Sequence, residues 1–250
     1  MYVLEHGGVT VRGMSTPTSR RRPAATWIRR LATDRAGTVH ERILDALRMV
    51  ILAGHAPPGA PIAVDDVAEQ FTVSRIPVRE ALKTLIGEGL VDHEPRAGYS
   101  VARLTRAELA ELYVVREALE SAALTAAAHS ATSADDDEVV AAYEALTAAI
   151  HGNDAQGHHR ESRRFHLALT GPCRMQRLLR MFESAWNLTE PQQPMSYVSR
   201  EMTELLHVDH QLMVDAFRAR DAESLVAISD RHYRRLQDVV AALPDTRMRA

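Results

Sequence analysis

The chain has little cysteine, few aromatic residues and almost no lysine. Cys173 is the single cysteine among 250 residues, which excludes a disulfide framework and a zinc site made only of cysteines within one chain. Aromatic residues make up 5% of the chain while hydrophobic residues make up 46%, so its cores must be aliphatic, which favours helices over a β-sandwich. Lys83 is the only lysine, an arginine bias that we attribute to GC-rich coding.

Long apolar segments are also missing. No apolar run approaches the roughly 20 residues of a membrane span, and the N-terminus lacks the apolar core of a signal peptide, so we expect a cytoplasmic protein without a membrane partner. The length predicts two domains. Up to Ala102 the chain has 13 Lys and Arg against 11 Asp and Glu, and from Arg103 onward it has 17 against 22. Contact with nucleic acid is therefore expected in the first half, on a local basic face.

Residues 1–35 are predicted to be a disordered basic tail. They hold the clusters Arg20–Arg22 and Arg29–Arg30. Such a tail either adds phosphate contacts or is only a solvated extension, and the pattern leaves both open. Whether translation starts at Met1 or at Met14 is open as well.

Residues 64–101 carry the most informative pattern. Apolar spacing predicts a helix ending at Phe71, a turn at Thr72-Val73, and a second helix that begins after Ser74 as its N-cap. Two short strands, Leu90-Val91 and Tyr99–Val101, follow and are joined by a turn over 95–98. A helix-turn-helix with basic residues on the outer face of its second helix and on its wing suits a DNA major groove. The predicted DNA-contacting residues are Ser74, Arg75, Val78, Arg79, Lys83, Arg96 and Gly98.

These residues resemble the winged-helix signature of the GntR family of bacterial transcription regulators. The resemblance spans about residues 38–104, and its motif consists of Ser74, Arg75, Pro77–Leu82, Leu85 and Glu88–Val91. It implies a winged helix-turn-helix DNA-binding domain over 36–104. Asp65 departs from the family pattern, in which a basic or polar residue stands. An acidic side chain there either repels phosphate or accepts a hydrogen bond from cytosine.

Residues 105–243 show only helical spacing and are predicted to form an all-α bundle, which makes the fold class mainly α. Thr105 is the expected N-cap of a long first helix. The apolar positions that predict this helix are Ala110, Leu112, Val115, Leu119, Ala122 and Ala126.

Three of the twelve histidines are predicted to point inward: His166, His210 and His232. The last two lie eleven residues on either side of Asp221, so in a tight antiparallel hairpin both stand about 16 Å from the turn. Imidazoles in this arrangement suit zinc or nickel. The alternative, that each is a core histidine hydrogen-bonded to a neighbour, stays open. The histidines expected at the surface are His151, His158, His159 and His207.

The helical half resembles the FCD-type effector domain of FadR-subfamily GntR regulators, through Glu111–Glu120, Phe165-His166, Asp209-His210 and His232. The resemblance implies a divalent metal ion on His166, His210 and His232, with an aspartate four residues before the first. Ser162 stands there instead, which implies weaker metal binding or a water molecule in that place.

The same resemblance implies that Arg116 faces an effector cavity, where its guanidinium suits a carboxylate. An ion pair with Glu120 within the helix is the alternative for Arg116. Ser162 and Asn187 are the other candidate effector-binding residues.

Together these patterns predict a cytoplasmic, homodimeric regulator of transcription, a repressor rather than an activator, that binds a near-palindromic operator and a small carboxylate effector. Two other interpretations stay open. One is a metal-dependent hydrolase with secondary DNA binding, although no inward acidic residue stands out as its general base. The other is a DNA-binding protein whose bundle serves only dimerisation.

Overall fold

A computed structural model describes residues 25–34 and 36–243. The first half contains three helices, α1 (Val39–Leu52), α2 (Val64–Phe71) and α3 (Arg75–Gly87). Helix α1 begins with a capping box, in which Thr38 accepts from the backbone N–H of Glu41 and the Glu41 carboxylate accepts from that of Thr38. Helices α2 and α3 form the predicted helix-turn-helix.

A small antiparallel sheet flanks the helix-turn-helix in sequence. Strand β1 (Pro61–Ile62) precedes α2, strands β2 (Val91–Glu94) and β3 (Gly98–Val101) follow α3, and their order in the sheet is β1-β3-β2. The predicted hairpin is present as β2 and β3, although its first strand begins one residue after Leu90 and continues to Glu94. Strand β1 was not predicted, because two residues beside a proline give no alternating pattern. It pairs with β3 and joins the wing to the segment before α2.

The predicted disordered tail is wrong for its last part. Thr26–Arg30 form a 3-10 helix, and Trp27, Ile28 and Leu31 are buried in the core of the first half with residues of all three helices. Burying each of these side chains stabilises the fold by about 1.5–3 kcal/mol, which outweighs the preference of the neighbouring arginines for water. Residues 1–24 and 35, with the Arg20–Arg22 cluster and Met14, lie outside the described residues.

The second half is helical. Its helices are α4 (Arg106–Ser130), α5 (Ser133–His151), α6 (Ala155–Thr170), α7 (Gln176–Thr189), α8 (Arg200–Arg218) and α9 (Ala222–Ala242). Short 3-10 turns lie at Gly171–Cys173, Glu190–Gln192 and Pro194–Tyr197. The fold class is therefore mainly α, as predicted. Within the described ranges, the search for a helix long and apolar enough to cross a membrane found none.

Helix α4 buries a different face from the one that its apolar residues predicted. Val115 is 40% exposed, whereas Leu109, Tyr113, Arg116 and Glu120 are buried. Two charged residues lie on the buried face, so the spacing of apolar residues led to the wrong prediction of which face of α4 is buried. Helix α9 packs along α4, so the polar pair enters the centre of the bundle.

The segment 190–197, here called the strap, connects α7 to α8 and lies against the first half. The side-chain amide of Gln192 donates to the carbonyl of Ala102, directly after β3, over 3.4 Å. The side chain of Gln193 lies where a Cβ of Gly54 would be, and Leu188 lies within 2.5 Å of the position a Cβ of Gly89 would take. Both glycines have positive φ and follow the ends of α1 and α3.

Candidate functional site

The outer face of α3 presents the three predicted cations to solvent. Arg75 forms a two-point ion pair with Asp65 of α2, with Nη2 donating to Oδ2 over 3.0 Å and Nε to Oδ1. Lys83 donates to Glu80 over 2.8 Å. Arg79 is exposed and has no acidic partner among the described residues. Asp65 therefore acts on its neighbour Arg75, a pairing that the sequence did not indicate.

Two other predicted residues of this face differ in accessibility. Ser74 is the N-cap residue of α3, but its side chain accepts no capping hydrogen bond and is exposed. Val78 is fully buried in the core, so its prediction as a DNA-contacting residue is wrong. The valine belongs to the apolar stripe of α3 and supports the arginines on either side.

The wing supplies a second exposed group. Arg96 and Gly98 have φ of 75° and 94° in the turn between β2 and β3, and only Gly98 adopts this conformation without a Cβ penalty. The His93 ring packs against Tyr99 in a tilted arrangement, with 4.5 Å between centroids, across the pair formed by β2 and β3. Both rings line a groove with Arg79 and Lys83. Sequence reasoning missed them, although the hairpin register would have placed them opposite each other.

The three inward histidines come together in the helical half. His166 on α6, His210 on α8 and His232 on α9 are 1%, 2% and 3% exposed. One ring nitrogen of each lies within 4.8 Å of those of the others. The ring centroids of His210 and His232 are 4.6 Å apart, which confirms that they stand level in their hairpin.

A buried carboxylate fixes the first histidine. Glu120 Oε1 lies 2.6 Å from Nδ1 of His166, and Glu120 Oε2 accepts from the hydroxyl of Tyr233. A carboxylate at this distance holds the proton on Nδ1, so the Nε2 lone pair of His166 is free to bind a ligand. Arg116, by contrast, donates to the Thr189 hydroxyl at 3.1 Å rather than pairing with Glu120 by hydrogen bond.

A second buried carboxylate, Asp209, lies behind the other two histidines. Its oxygens accept from Arg231 at 2.8 Å and Arg235 at 2.9 Å, and Nδ1 of His232 is 4.0 Å away. Two inward carboxylates therefore lie near the histidines, although neither stood out in the sequence as a general base. Asp209 directly precedes His210 in the chain, whereas Glu120 comes from α4, and both carboxylates are already engaged by hydrogen bonds.

The electrostatics favour neutral imidazoles. Burial holds the pKa of His210 and His232 well below the ordinary value, and the neighbouring histidines add to this effect. Both ring nitrogens of His210 and Nδ1 of His232 lack hydrogen-bond partners in the described part of the chain. Because an unpaired buried polar group costs about 1–3 kcal/mol, a ligand that accepts or donates at these nitrogens would be stabilised here.

A small cavity opens beside the histidines. Arg116 and Ser162 both line it, as predicted, and the Arg116 guanidinium lies 3.5 Å from the Trp186 ring centroid. Burial raises the pKa of Glu190, a further lining residue, to about 6, against the opposing hydrogen bond from Trp186. The remaining lining residues are Tyr113, His159, Thr189, Pro194, Met195 and Leu236 with the three histidines.

Two predictions about this region fail. Asn187 is not among the cavity residues, because its side chain turns towards α6 and accepts from Arg163 over 2.9 Å. His159, expected at the surface, is buried and lines the cavity. Nearby, a Cβ at Gly157 would lie 2.2 Å from the N-cap carboxylate of Asp154, so the glycine leaves room for that cap at the start of α6.

The residues present fit a divalent metal ion. Three imidazoles within reach of one point offer the nitrogen ligands that zinc and nickel favour, and Glu120 supplies the outer hydrogen bond that orients such ligands. Ser162 is too short and too weakly acidic to act as the missing carboxylate. The cavity volume of about 20 Å³ holds an ion or one water molecule.

Comparison with known proteins identifies both halves of the chain. Residues 39–101 match the family described as bacterial regulatory proteins, gntR family, and residues 111–235 match the FCD domain. The chain is 30% identical over 190 residues to the probable D-xylose utilization operon transcriptional repressor of Paenarthrobacter nicotinovorans, covering 74% of this chain and 81% of that protein.

Two solved structures share the fold. McbR/YncC of E. coli aligns with a TM-score of 0.72 and 22% identity, over 82% of this chain and 98% of that one. A putative GntR regulator from Rhodococcus sp. RHA1 aligns with a TM-score of 0.74 and 23% identity, over 82% and 99%. At these identities the likeness concerns the arrangement of the helices and the wing.

Proposed function

Since the chain belongs to the gntR family of bacterial regulatory proteins and carries an FCD domain, we propose that this transcriptional regulator is a homodimeric repressor, released from DNA by a small carboxylate. Its place of action is the cytoplasm, where bacterial DNA lies. The observation that supports the proposal most is the pairing of an exposed cationic helix with a buried, ligand-deficient histidine cluster in one chain.

The DNA-binding role is assigned to α3 and the wing. Arg79 has no acidic partner among the residues that the structure describes, so no ion pair within them must be broken before it reaches a base or phosphate. Arg75 is held by Asp65 through one edge of its guanidinium, which leaves the other edge able to donate to guanine. We assign contacts with the DNA backbone to Ser74, Lys83, Arg96 and Gly98. Two copies in a dimer would read the half-sites of a near-palindrome.

The metal site is assigned to His166, His210 and His232. Glu120 orients His166, and Asp209 with its two arginines lies behind His232. A bound divalent ion would supply a positive centre for an anionic ligand. The hydroxyl of Ser162 in place of a carboxylate leaves the site with no protein anion among its ligands, so we assign it a lower metal affinity than a site with aspartate there.

The carboxylate specificity is assigned to Arg116. Its guanidinium is buried and stacked on Trp186, and Nε has no hydrogen-bond partner among the described residues. A buried cation with unused donors favours an anionic partner. An effector that binds one arrangement of the dimer more tightly than another would change the spacing of the two recognition helices.

A metal-dependent hydrolase is the weaker candidate. The three carboxylates near the histidines already accept hydrogen bonds, Glu120 from His166 and Tyr233, Asp209 from two arginines and Glu190 from Trp186. These bonds compete with the transfer of a proton from water to any of the three. The relatives named above are regulators, which also favours a binding role.

Selection of bound duplexes from a random DNA library tests the DNA-binding role. We expect the enriched sequences to share a near-palindromic motif that the tag-free full-length protein binds with a strong dependence on salt. Enrichment of a single half-site only would exclude the dimeric arrangement, and no enrichment would overturn the specific operator.

Metal analysis and calorimetry test the effector domain. Tag-free protein should hold up to one zinc or nickel ion per chain, and acetate, the smallest common carboxylate, should bind the metal-loaded protein. Protein that takes up neither ion after incubation with both would overturn the metal assignment. Unaltered affinity for the selected operator across a panel of carboxylic acids would overturn the effector role.

A further inference from the structure

A groove of about 780 Å³ lies next to the histidine cavity, between the end of α5, the start of α6 and the start of α8. Of the residues that the structure describes, Met195 alone lines both spaces. The two are adjacent along the chain as well, because His158 faces the groove while His159 faces the cavity. Met195 is therefore the partition between a space for one water molecule and a space for a metabolite.

The groove differs from the cavity in chemistry. Its walls include the polar side chains of Asn153, Asp154, Thr203 and Glu204 and three histidine rings, on both sides of the opening. His158 makes no side-chain hydrogen bond in the described part of the chain, and burial lowers its pKa to about 4, so it is a neutral donor or acceptor. Such walls suit hydroxyl groups, which both donate and accept.

The partition lies beside a strained position of the strap. Met195 belongs to the 3-10 turn Pro194–Tyr197, and Gln193, directly before that turn, has a φ of 45°, a conformation that costs a non-glycine residue about 1 kcal/mol or more. The methionine side chain is unbranched, with three rotatable bonds, and adapts its shape easily. A change of rotamer at Met195 is enough to join the two spaces.

We propose that Met195 is a gate, and that the open cavity and groove form one bipartite site for a hydroxylated carboxylic acid. The acid group lies against Arg116 and the histidines, and the hydroxylated body lies in the groove against His158 and its neighbours. This inference rests on the proposed function for its acid-binding half. It adds a second half, a ligand class and the residue that controls access.

Acrylamide quenching of Trp186 tests the gate without any metal or effector. Trp186 lines the cavity, and Trp27→Phe leaves it as the only tryptophan. In that background, Met195→Ala should raise the quenching constant by roughly twofold or more, because truncation leaves a void that neighbours fill only partly. Met195→Leu, of similar volume, should keep the parental value.

Met181→Ala is the matched control, since Met181 lies on the same helix as Trp186 but is 61% exposed on its outer face. It should leave quenching unchanged. Equal quenching in the parent and in Met195→Ala, with both folded by circular dichroism, would overturn the gate. The Leu variant keeps the test valid if the alanine variant unfolds, because a rise in quenching with leucine would equally contradict the proposal.

Calorimetry with three probes tests the ligand class: acetate for the acid alone, gluconate for an acid with a hydroxylated body, and sorbitol for the body alone. On zinc-loaded protein, gluconate should bind about tenfold more tightly than either other probe, the equivalent of one or two added hydrogen bonds. His158→Phe should remove most of this advantage and leave acetate binding unchanged.

The outcomes separate the two proposals. Loss of both zinc and acetate binding would contradict the proposed effector site itself. Normal zinc and acetate binding with no advantage for gluconate, or an advantage that His158→Phe leaves intact, would contradict only the bipartite site.

Discussion

The recognition face and the histidine cavity place their charged groups under opposite conditions. Arg75 and Lys83 are exposed and paired with nearby carboxylates, in ion pairs that contribute only about 0–1 kcal/mol each and break easily when DNA arrives. The cavity buries Arg116 and three imidazoles and leaves several of their nitrogens without partners. The charged groups of the recognition face are exposed and already paired, whereas several nitrogens of the cavity are buried without a partner among the described residues.

The difference predicts different responses to mutation. On the exposed face, each residue should contribute nearly independently and should depend on salt. In the cavity, residues share hydrogen bonds, so a substitution at one position should also change the energetic contribution of the other residues in the cluster. The following variants test that contrast, beginning with the largest expected effect.

Replacing two of the three metal ligands should have the greatest consequence. The double variant His210→Ala/His232→Ala should lose divalent-metal affinity by at least roughly 10⁴-fold, since total binding energies of about 10–16 kcal/mol at structural zinc sites are shared among few ligands. Operator affinity without metal should stay near wild type. Isothermal titration with zinc gives the comparison, and equal zinc affinity in both proteins would disprove the ligand assignment.

Arg79→Ala should weaken operator binding by about 2–6 kcal/mol per dimer, because one contact of about 1–3 kcal/mol is lost in each half-site. Gel-shift titration at fixed salt measures it. Arg200→Ala is the matched control, as its side chain is 91% exposed on the helical half. If the two variants bind the operator equally well, Arg79 does not contact DNA.

Glu120→Gln should lower zinc affinity by roughly 10- to 100-fold, the usual effect of removing a hydrogen-bond partner of a ligand. Glutamine keeps the shape but no longer holds the proton on Nδ1 of His166 with a full charge. Competition with a chromophoric chelator measures the change. Glu117→Gln, one turn earlier on α4 and bonded to Gln237, should keep wild-type zinc affinity.

Glu190→Gln should change how stability depends on pH. The folded-state pKa of about 6 lies above the ordinary 4.5, so the wild type loses stability as pH rises through this interval. The variant lacks this loss and should gain about 2 kcal/mol relative to wild type between pH 4 and pH 8. Urea unfolding of metal-free protein at several pH values measures the difference. A difference that does not change with pH would show that folding does not raise the pKa of Glu190.

Asp65→Asn should have the smallest effect, below about 1 kcal/mol, because its ion pair with Arg75 is solvent-exposed. Release of Arg75 should strengthen non-specific DNA binding slightly and increase its salt dependence. Fluorescence anisotropy with a random duplex measures both. A loss of selectivity for the enriched operator, without stronger non-specific binding, would instead assign Asp65 to orienting Arg75.

The sequence predicted what depends on neighbours in the chain. The turn, the proline in the first turn of α3 and the hairpin are local signals, and they placed Arg75, Arg79 and Lys83 correctly. The level pair His210 and His232 followed from helix geometry alone. Val78 failed because one residue was given two incompatible roles, one in the core and one at the DNA.

Features that depend on distant contacts could not be predicted in this way. Glu120 reaches His166 across 46 positions in the chain, and it lies on a helix face that apolar spacing had assigned to solvent. We predicted that Asn187 lines the cavity because it follows Trp186 in the sequence, but the two side chains point in different directions around α7. Trp27 and Ile28 lie in a segment whose composition resembles a tail, and their burial depends on the surface that α1 and α2 offer.

The contacts at Gly54 and Gly89 bear on how this regulator could be recombined with others. Each glycine admits a side chain of the second half, Gln193 or Leu188, into a space that any Cβ would occupy. A left-handed conformation adds about 1–2 kcal/mol for other residues. In a chimera that joins a foreign DNA-binding domain to this effector domain, the two halves should pack in this way most easily if both glycines are kept. The exchange of domains in this chain therefore depends on two positions, Gly54 and Gly89, that carry a hydrogen atom where other residues carry a Cβ.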